Sequence, residues 1–418
     1  MKILVQKFGG TSVVTAGLRR QAVERILEAR RAGFAVVVVV SAMGRAGDPY
    51  ATDTLLGLLD GGSEDDPRER DLLLACGEII ACVVLAHAIR GQGCPAVALT
   101  GREAGIVTDN QFGNARILRV EPEPLLGHLE AGRVAVVAGF QGATADGQVT
   151  TLGRGGSDTT AAALGAALRA ESVDIYTDVE GVYTADPRLV PDAVRLERVS
   201  YREIVEMAHL GARVVHPRAV EIAMEGRVPL RIRSTASNGP GTLVCDGMGL
   251  GGIVPSDRIV TGIAHVSGRV QFRLSSSSDF NREGLARRVF QELGRASVSV
   301  DMIHVSPHAV QFIVEQGRRL TAEEVLRGLE VRYEVEDGLA KVSVVGAGMH
   351  GVPGVMARVM EALHGARVPV FQTTDSHANI SCLVRESDVE KVVRALHREF
   401  GLGQQPIHRQ EATVHEAG

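Results

Sequence analysis

The sequence predicts an α/β protein: a mostly parallel sheet sandwiched by helices, followed by two ferredoxin-like α+β modules. Three observations carry that prediction. Short β-branched runs alternate with longer helical stretches up to about residue 245. A Gly- and Pro-bearing stretch, Ser237 to Pro255, then breaks the alternation. Beyond it lies an internal repeat with a period of 70 residues, pairing Gly284 with Gly354.

The expected strands of the first part are Lys2–Phe8, Ala35–Ser41, Ala96–Thr100, Val134–Phe140, Val173–Thr177 and Leu230–Arg233, with helical patterns over Leu18–Arg31, Arg68–Gly91 and Asp158–Ala170. Strands joined by helical crossovers form a parallel sheet covered on both faces. Ligands of such sheets gather at the carboxyl ends of the strands, so the residues after each apolar run are the ones to inspect. The stretch Asn238-Gly239-Pro240-Gly241 has turn chemistry and marks the boundary. In the repeat, Leu293 pairs with Leu363, Ala296 with Ala366, Val298 with Val368 and Ser306 with Ser376. Each copy reads helix, strand, turn, strand, helix; two copies are too few for a solenoid and suit a pair of split βαβ modules. The expected organisation is 1–245, a linker 246–260, modules at 261–338 and 339–402 with strands open to exchange between them, and a tail 403–418.

Composition narrows the function. Of 418 residues, 45% are hydrophobic and 23% charged, as in ordinary globular proteins. Only 4% are aromatic, Trp is absent and the net charge is −5, so neither base stacking nor a general attraction for nucleic acid is expected. The start, Met1 to Lys7, lacks the features of a signal peptide, and the apolar run Phe34 to Val40 is short for a membrane span. Five scattered cysteines without CxxC pairs suit reduced thiols, and a cytoplasmic protein without structural metal is expected.

Four motifs carry chemistry. Lys7-Phe8-Gly9-Gly10-Thr11-Ser12 closes the first strand: two glycines admit a phosphate close to backbone N–H groups, and Lys7 supplies a mobile cation. The alternative is a plain strand-to-helix turn with a surface lysine. No GxxxxGK[ST] occurs, which disfavours a P-loop enzyme. Thr151 to Thr160 holds a second Gly-rich turn opening an Ala-rich helix, with Ser157 or Asp158 as the expected cap and Arg154 as a fork for a carboxylate. Tyr176 to Arg188 is a long polar loop after a strand, placed either to hold a nucleotide or as a structured Asx and Pro turn. Gly211 to Arg218 offers Arg213 as another cation, against a capping or surface role; His216 before Pro217 reads as structural. Two smaller pieces join them: Ser41-Ala42-Met43-Gly44 after the second strand, and Glu78 within an apolar helix, where a carboxylate is costly unless paired and a ligand amine could pair it, against the default of a helix-surface or otherwise satisfied Glu.

In this order, KFGGTS, SAM, LGRGGSD, TDVEGVYTADPR and GARVVHPRAVEIA are similar to the motifs of the amino-acid kinase family, and most specifically to monofunctional aspartokinases. The repeats resemble paired ACT domains, which bind amino-acid effectors in that family. The resemblance implies an amino-acid kinase fold and phosphorylation of L-aspartate by ATP with Mg²⁺ held mainly by the phosphates. By the resemblance, Lys7 and Arg213 stabilise the transferring phosphoryl group and Asp158 orients them. Gly9, Gly10 and Gly156 shape the phosphate cradle. Ser41, Thr52, Glu78, Arg154, Gly155, Gly156 and Ser157 hold aspartate. Phe8, Thr177, Asp178, Tyr183, Asp186, Arg188 and Val214 join Lys7 and Arg213 around ATP. Many relatives have Lys where this chain has Arg213, which keeps the charge but changes reach and geometry. For the effector (lysine, threonine or meso-diaminopimelate) the matching positions are Asp279, Asn281, Asp301, Asp375 and Asn379, with Asn281 replacing the family's Asp. A homodimer or larger assembly through the ACT modules is implied. Met248 reads as an ordinary linker methionine, although in some relatives such a residue starts a separate regulatory subunit. The competing readings are another amino-acid kinase, of glutamate, acetylglutamate or nucleotide type, and a non-catalytic amino-acid sensor.

Overall fold

The computed structural model describes residues 1–59, 66–212, 214–246, 259–275, 284–349 and 351–403. The chain forms two compact units. The first comprises Met1–Val182, Arg195–His209 and Arg213–Ile253; the second comprises Tyr183–Val194, Leu210–Ala212 and Val254–Gly418.

In the first unit the chain runs β1 (Ile3–Phe8), α1 (Gly10–Val13), α2 (Ala16–Arg31), β2 (Ala35–Val40), α3 (Thr52–Leu56), α4 (Pro67–Arg90) and β3 (Ala96–Leu99). It continues through β4 (Ile106–Thr108), β5 (Ile117–Val120), α5 (Glu123–Glu130), β6 (Val134–Ala138), β7 (Gln141–Ala143), β8 (Val149–Thr151) and α6 (Gly156–Ala167). Last come β9 (Ser172–Thr177), β10 (Arg198–Val199), α7 (Tyr201–His209), α8 (Pro217–Glu225), β11 (Leu230–Ser234) and β12 (Thr242–Val244). All six expected strands lie in one sheet of order β10-β12-β11-β9-β1-β2-β6-β3, parallel except where β12 turns back on β11. Every residue of β2 is buried, the signature of a strand covered on both faces, which is why its sequence is a near-continuous valine run. β1 sits between β2 and β9, so the chain leaves it in opposite directions and opens a crevice at its carboxyl end.

A second sheet, β5-β4-β7-β8, is absent from the sequence reading. Its strands are three or four residues long, too short to show a period. Helix α4 is long and apolar enough to cross a membrane by length and composition alone, which the uninterrupted runs do not reveal. Half of that apolar window is buried, with Ala81, Cys82, Leu85, Ala86 and Ile89 packed in one core with Val36, Val38, Val134 and Val136.

The second unit has β13 (Gly262–Ser275), α9 (Leu285–Arg295), β14 (Asp301–Val305), β15 (Ala309–Glu315), α10 (Arg319–Gly328) and β16 (Tyr333–Val345). The chain then forms α11 (Val355–Gly365), β17 (Gln372–Asp375), β18 (Asn379–Arg385) and α12 (Val389–Glu399). The 70-residue repeat is realised closely, with α9 and α11 each opened by a left-handed glycine, Gly284 and Gly354. The two copies share a single antiparallel sheet, β14-β15-β13-β16-β18-β17. β13 and β16 are long enough to serve both: Gly262–Val266 pairs with Val345–Lys341, and Arg269–Leu274 with Leu339–Tyr333 across a bulge. Phe272, Phe312, Val289 and Leu326 fill one core; Val342, Val359, Val392 and Leu396 fill the other. Tyr183–Val194 and Leu210–Ala212, which the sequence reading keeps within 1–245, fold as parts of this unit.

Candidate active site

The first unit concentrates its chemistry at the carboxyl end of β1. Within β1, Leu4 and Phe8 are buried in the valine-rich core, and the Phe8 ring stacks on Tyr176 of β9 at 4.7 Å. Phe8 therefore has only its backbone to offer a ligand. The chain then turns through Gly9, whose N–H donates to the Tyr176 carbonyl at 3.4 Å, into Gly10. A Cβ on Gly10 would lie 2.2 Å from the Ala42 carbonyl oxygen, so this approach of the β1 and β2 turns requires glycine.

Lys7 Nζ lies 2.7 Å from Oδ1 of Asp158, with both side chains largely buried. That oxygen has no partner of hydrogen-bonding geometry, so the contact is a close ion pair rather than an aligned bond. Oδ2 accepts the backbone N–H of His216 at 3.3 Å. Asp158 is free for this role because it is not the helix cap. The N-cap of α6 is Gly155, in the left-handed conformation with φ +72° and without a side-chain cap bond, which corrects the expected Ser157 or Asp158. Its missing Cβ is also what admits the His216 ring: a Cβ there would lie 2.1 Å from the imidazole. Burial pushes the His216 pKa down against the pull of Asp158, and Nδ1 has no partner, in keeping with a packing role. Ser157 is buried in the first turn of α6, and Arg154 is exposed and unpaired among the described residues.

Glu78 is the most informative side chain. It is buried on α4, its Oε1 accepts the Ala42 N–H at 3.0 Å, and its Oε2 is sealed from solvent without a hydrogen-bond partner. Burial raises its pKa to about 8, against the lowering effect of the Ala42 N–H. A buried carboxyl oxygen without a partner is costly and well suited to a cationic ligand group. Ser41 follows β2 and hydrogen-bonds through its N–H to the Phe8 carbonyl at 3.1 Å; Thr52 is the first residue of α3.

Around the end of β9, Thr177 Oγ1 donates to Asp178 at 3.1 Å, and Asp178 pairs at 3.3 Å with Arg45, a residue the motifs do not mark. In the second unit, Tyr183 is half-buried. Asp186 accepts the backbone N–H and Nε of Arg188 and pairs with its Nη2 at 2.7 Å, which holds the carboxyl below its usual range. The Asx-turn alternative is thus present in the loop, whatever else its residues bind. Val214 is half-buried at the turn before α8; Arg213 lies outside the described residues.

Of the effector candidates, Asp279 and Asn281 also lie outside them, as does Met248. Asp301 pairs with Lys341 at 2.7 Å. Asp375 is exposed at the end of β17, whereas Asn379 is buried and engaged with Ser376 and Ser381.

Two supporting residues escaped the motif reading. Asp71, fully buried on α4, accepts from Gly113 N at 2.9 Å and from both N and Oγ1 of Thr151 at 2.7 Å. Arg218 donates to the Leu152 and Ala115 carbonyls, each at 2.9 Å. Together they anchor the strand leading into the Gly-rich turn. The signal for Asp71 was its spacing: it stands two helical turns before Glu78, on the same face of an apolar helix.

The sequence profile of the amino acid kinase family matches residues 2–234, and that of the ACT domain matches 334–398. Aspartokinase 1 of Bacillus subtilis is 49% identical over 405 residues, spanning 96% of this chain and 100% of its own. The aspartokinase of Corynebacterium glutamicum is 41% identical over 417 residues, spanning 96% and 97%. Among solved structures, E. coli aspartokinase III in complex with aspartate and ADP (R-state) superposes with a TM-score of 0.75 at 29% identity, covering 95% of this chain and 99% of its own. The same enzyme in complex with lysine and aspartate (T-state) gives 0.78 at 28%, covering 96% and 100%.

Proposed function

The chain belongs to the amino acid kinase family, on its aspartokinase branch, and we propose how its residues carry out that family's reaction. It is an aspartate kinase: the terminal phosphoryl group of ATP passes to the side-chain carboxylate of L-aspartate, giving 4-phospho-L-aspartate. This is the first step towards lysine and diaminopimelate, threonine and methionine, and the ACT stretch places it under end-product feedback. Full-length similarity to aspartokinases leaves no room for the competing kinase and sensor readings.

The observation that carries the residue-level reading is the Lys7–Asp158 ion pair at the carboxyl end of β1. A carboxylate with a pKa near 3.9 is already ionised at neutral pH, so no general base is required. What the protein must supply is alignment of two anions and compensation of charge as the phosphoryl group moves. Lys7, aimed by Asp158, and Arg213 would provide that compensation. The Gly9-Gly10 turn and Gly156 would bring backbone N–H groups to the phosphates, with Phe8 contributing main chain only. Glu78 would take the ammonium of aspartate on its orphaned oxygen, while Arg154 would take a carboxylate, with Ser41, Thr52, Gly155 and Ser157 completing the pocket. Thr177, Asp178, Tyr183, Asp186, Arg188 and Val214 would surround ATP.

Among the described residues, no three His, Cys, Asp or Glu converge into a metal site. Mg²⁺ would be carried by the ATP phosphates and water, where it would shield phosphate charge. We further propose a catalytic domain at 1–245, a linker at 246–260, ACT modules at 261–338 and 339–402, a tail at 403–418, a cytoplasmic location, and a homodimer or larger assembly through the ACT modules. Lysine, threonine or meso-diaminopimelate would be the effector, through Asp279, Asn281, Asp301, Asp375 or Asn379.

Trapping the acyl phosphate with hydroxylamine tests the mechanism. Wild-type enzyme with ATP, Mg²⁺ and aspartate yields hydroxamate, glutamate does not, and Lys7→Ala loses turnover by about 10²–10³-fold, the typical effect of removing one transition-state donor. Undiminished turnover in Lys7→Ala would remove Lys7 from the mechanism.

A further inference from the structure

Thr184 lies between Tyr183 and Asp186, yet none of the motifs gives it a task. Its side chain is fully buried, and every polar group it owns is engaged. Its N–H donates to the Val194 carbonyl at 2.9 Å, and its carbonyl accepts from Ile263 of β13 at 2.7 Å. Its hydroxyl accepts the Val194 N–H at 3.0 Å and lies 3.0 Å from Nε2 of His397. His397 is buried on α12, inside the ACT stretch, and Burial holds its ring below the ordinary imidazole pKa against the opposing field of Asp192. A neutral imidazole and a hydroxyl at this distance form a single, directional bond. Three elements of the second unit thus converge on one threonine: the Val194 arm of its own loop, the first strand of the sheet and the last helix.

The other segment this unit takes in is pressed onto the same strand. A Cβ on Gly211, whose φ is +113°, would lie 2.0 Å from the carbonyl oxygen of His265. β13 therefore bonds, through Ile263, the loop that carries Tyr183, Asp186 and Arg188, and is closely approached at His265 by the segment that holds Gly211.

We infer that His397 is a positioning residue for ATP, acting through the Thr184 hydroxyl to hold the Tyr183–Arg188 segment in its binding conformation. The inference rests on the reading that this segment surrounds ATP. Its mechanical logic is that Asp186 and Arg188 are tied to each other, so the pair moves as a block. The orientation of that block is set where the loop is fastened, and Thr184 is the fastening two residues away. Because the fastening is to α12, the ACT stretch would reach the nucleotide loop through a single hydrogen bond without itself touching nucleotide.

The test uses full-length enzyme, with steady-state kinetics in ATP and in aspartate for Thr184→Val, Thr184→Ser, His397→Leu and His397→Gln. Loss of the Thr184–His397 bond predicts that His397→Leu raises KM for ATP by about three- to tenfold, and Thr184→Val, which also strands the Val194 N–H, by at least as much. KM for aspartate and kcat stay within about twofold on the same reasoning, since neither residue touches aspartate or the reacting atoms. Thr184→Ser and His397→Gln, which keep a polar partner, recover most of the loss. The double variant Thr184→Val/His397→Leu is no worse than Thr184→Val alone, because Thr184→Val already removes the bond that His397→Leu removes. Arg188→Ala serves as the control on the underlying reading. If it raises KM for ATP while the Val and Leu variants leave it unchanged, the positioning role is overturned and the ATP assignment stands. If all three leave it unchanged, the ATP assignment of the loop falls and the inference falls with it. Equal losses in kcat and both KM values, with no recovery in Ser or Gln, would mark a merely structural threonine.

Discussion

Replacing Glu78 by Gln separates what this carboxylate does for the fold from what it does for the substrate. The carboxylate is sealed between α4 and the Ala42 turn, with one oxygen satisfied and one orphaned. Its pKa of about 8 in the folded protein stands above the ordinary 4.5. The folded state thus retains a proton that the unfolded chain releases, so stability falls as pH rises from the unfolded value through the folded one. Across that window up to pH 7 the loss is on the order of 3 kcal/mol, from 1.36 kcal/mol per unit. Gln keeps an acceptor for the Ala42 N–H and cannot ionise. Urea unfolding should therefore find the two proteins similar at about pH 5, with the variant the more stable at about pH 8. The same change should raise KM for aspartate by about 10–150-fold, the equivalent of one hydrogen bond to a charged group. In the wild type alone, that KM should improve as pH rises towards about 8, because capturing an ammonium requires the ionised carboxylate. Parallel stability profiles from pH 5 to 8, or an unchanged KM for aspartate, would refute the reasoning.

Two further perturbations probe the scaffold. Gly155→Ala places a methyl group at φ +72° and inside the His216 ring, so a loss of at least about 1–2 kcal/mol in unfolding free energy is expected, together with lowered turnover as Asp158 shifts. Near-wild-type stability would show that the turn can relax. Asp71→Ala strands the N–H groups of Gly113 and Thr151 in a buried site, and a destabilisation of about 3 kcal/mol or more is expected by thermal or urea unfolding, against little change for the exposed Glu69→Ala.

Much of the site was legible because it sits at chain positions that physics makes conspicuous. A strand buried on both faces has to be apolar throughout, as Ala35–Val40 is, and the polar or glycine residues that follow it stand out. Lys7 and Gly10 stand at the end of such a strand, whereas Asp158 was marked by the Gly-rich turn that opens α6. The repeat was legible because helix and strand copies keep their spacing, down to the left-handed Gly284 and Gly354. What escaped was local in space but not in sequence. The cap of α6 was misassigned because a left-handed glycine can do without a side-chain cap, which frees Asp158 for Lys7. The small sheet escaped because its strands are too short to declare a period, and Asp71 because its partners lie some 42 and 80 residues away.

Taken by itself, the sequence determines the alternation of strand and helix, the repeat and the residue types at the strand ends, because these depend on periodicity and on conformational freedom along the backbone. Only the tertiary structure decides which oxygen of Glu78 is left unpaired, that Phe8 turns its ring into the core, and that Thr184 is fastened to His397 across 213 residues. The reason is physical. Desolvation and hydrogen-bond satisfaction are properties of the whole packed environment around an atom, and no stretch of chain contains that environment on its own.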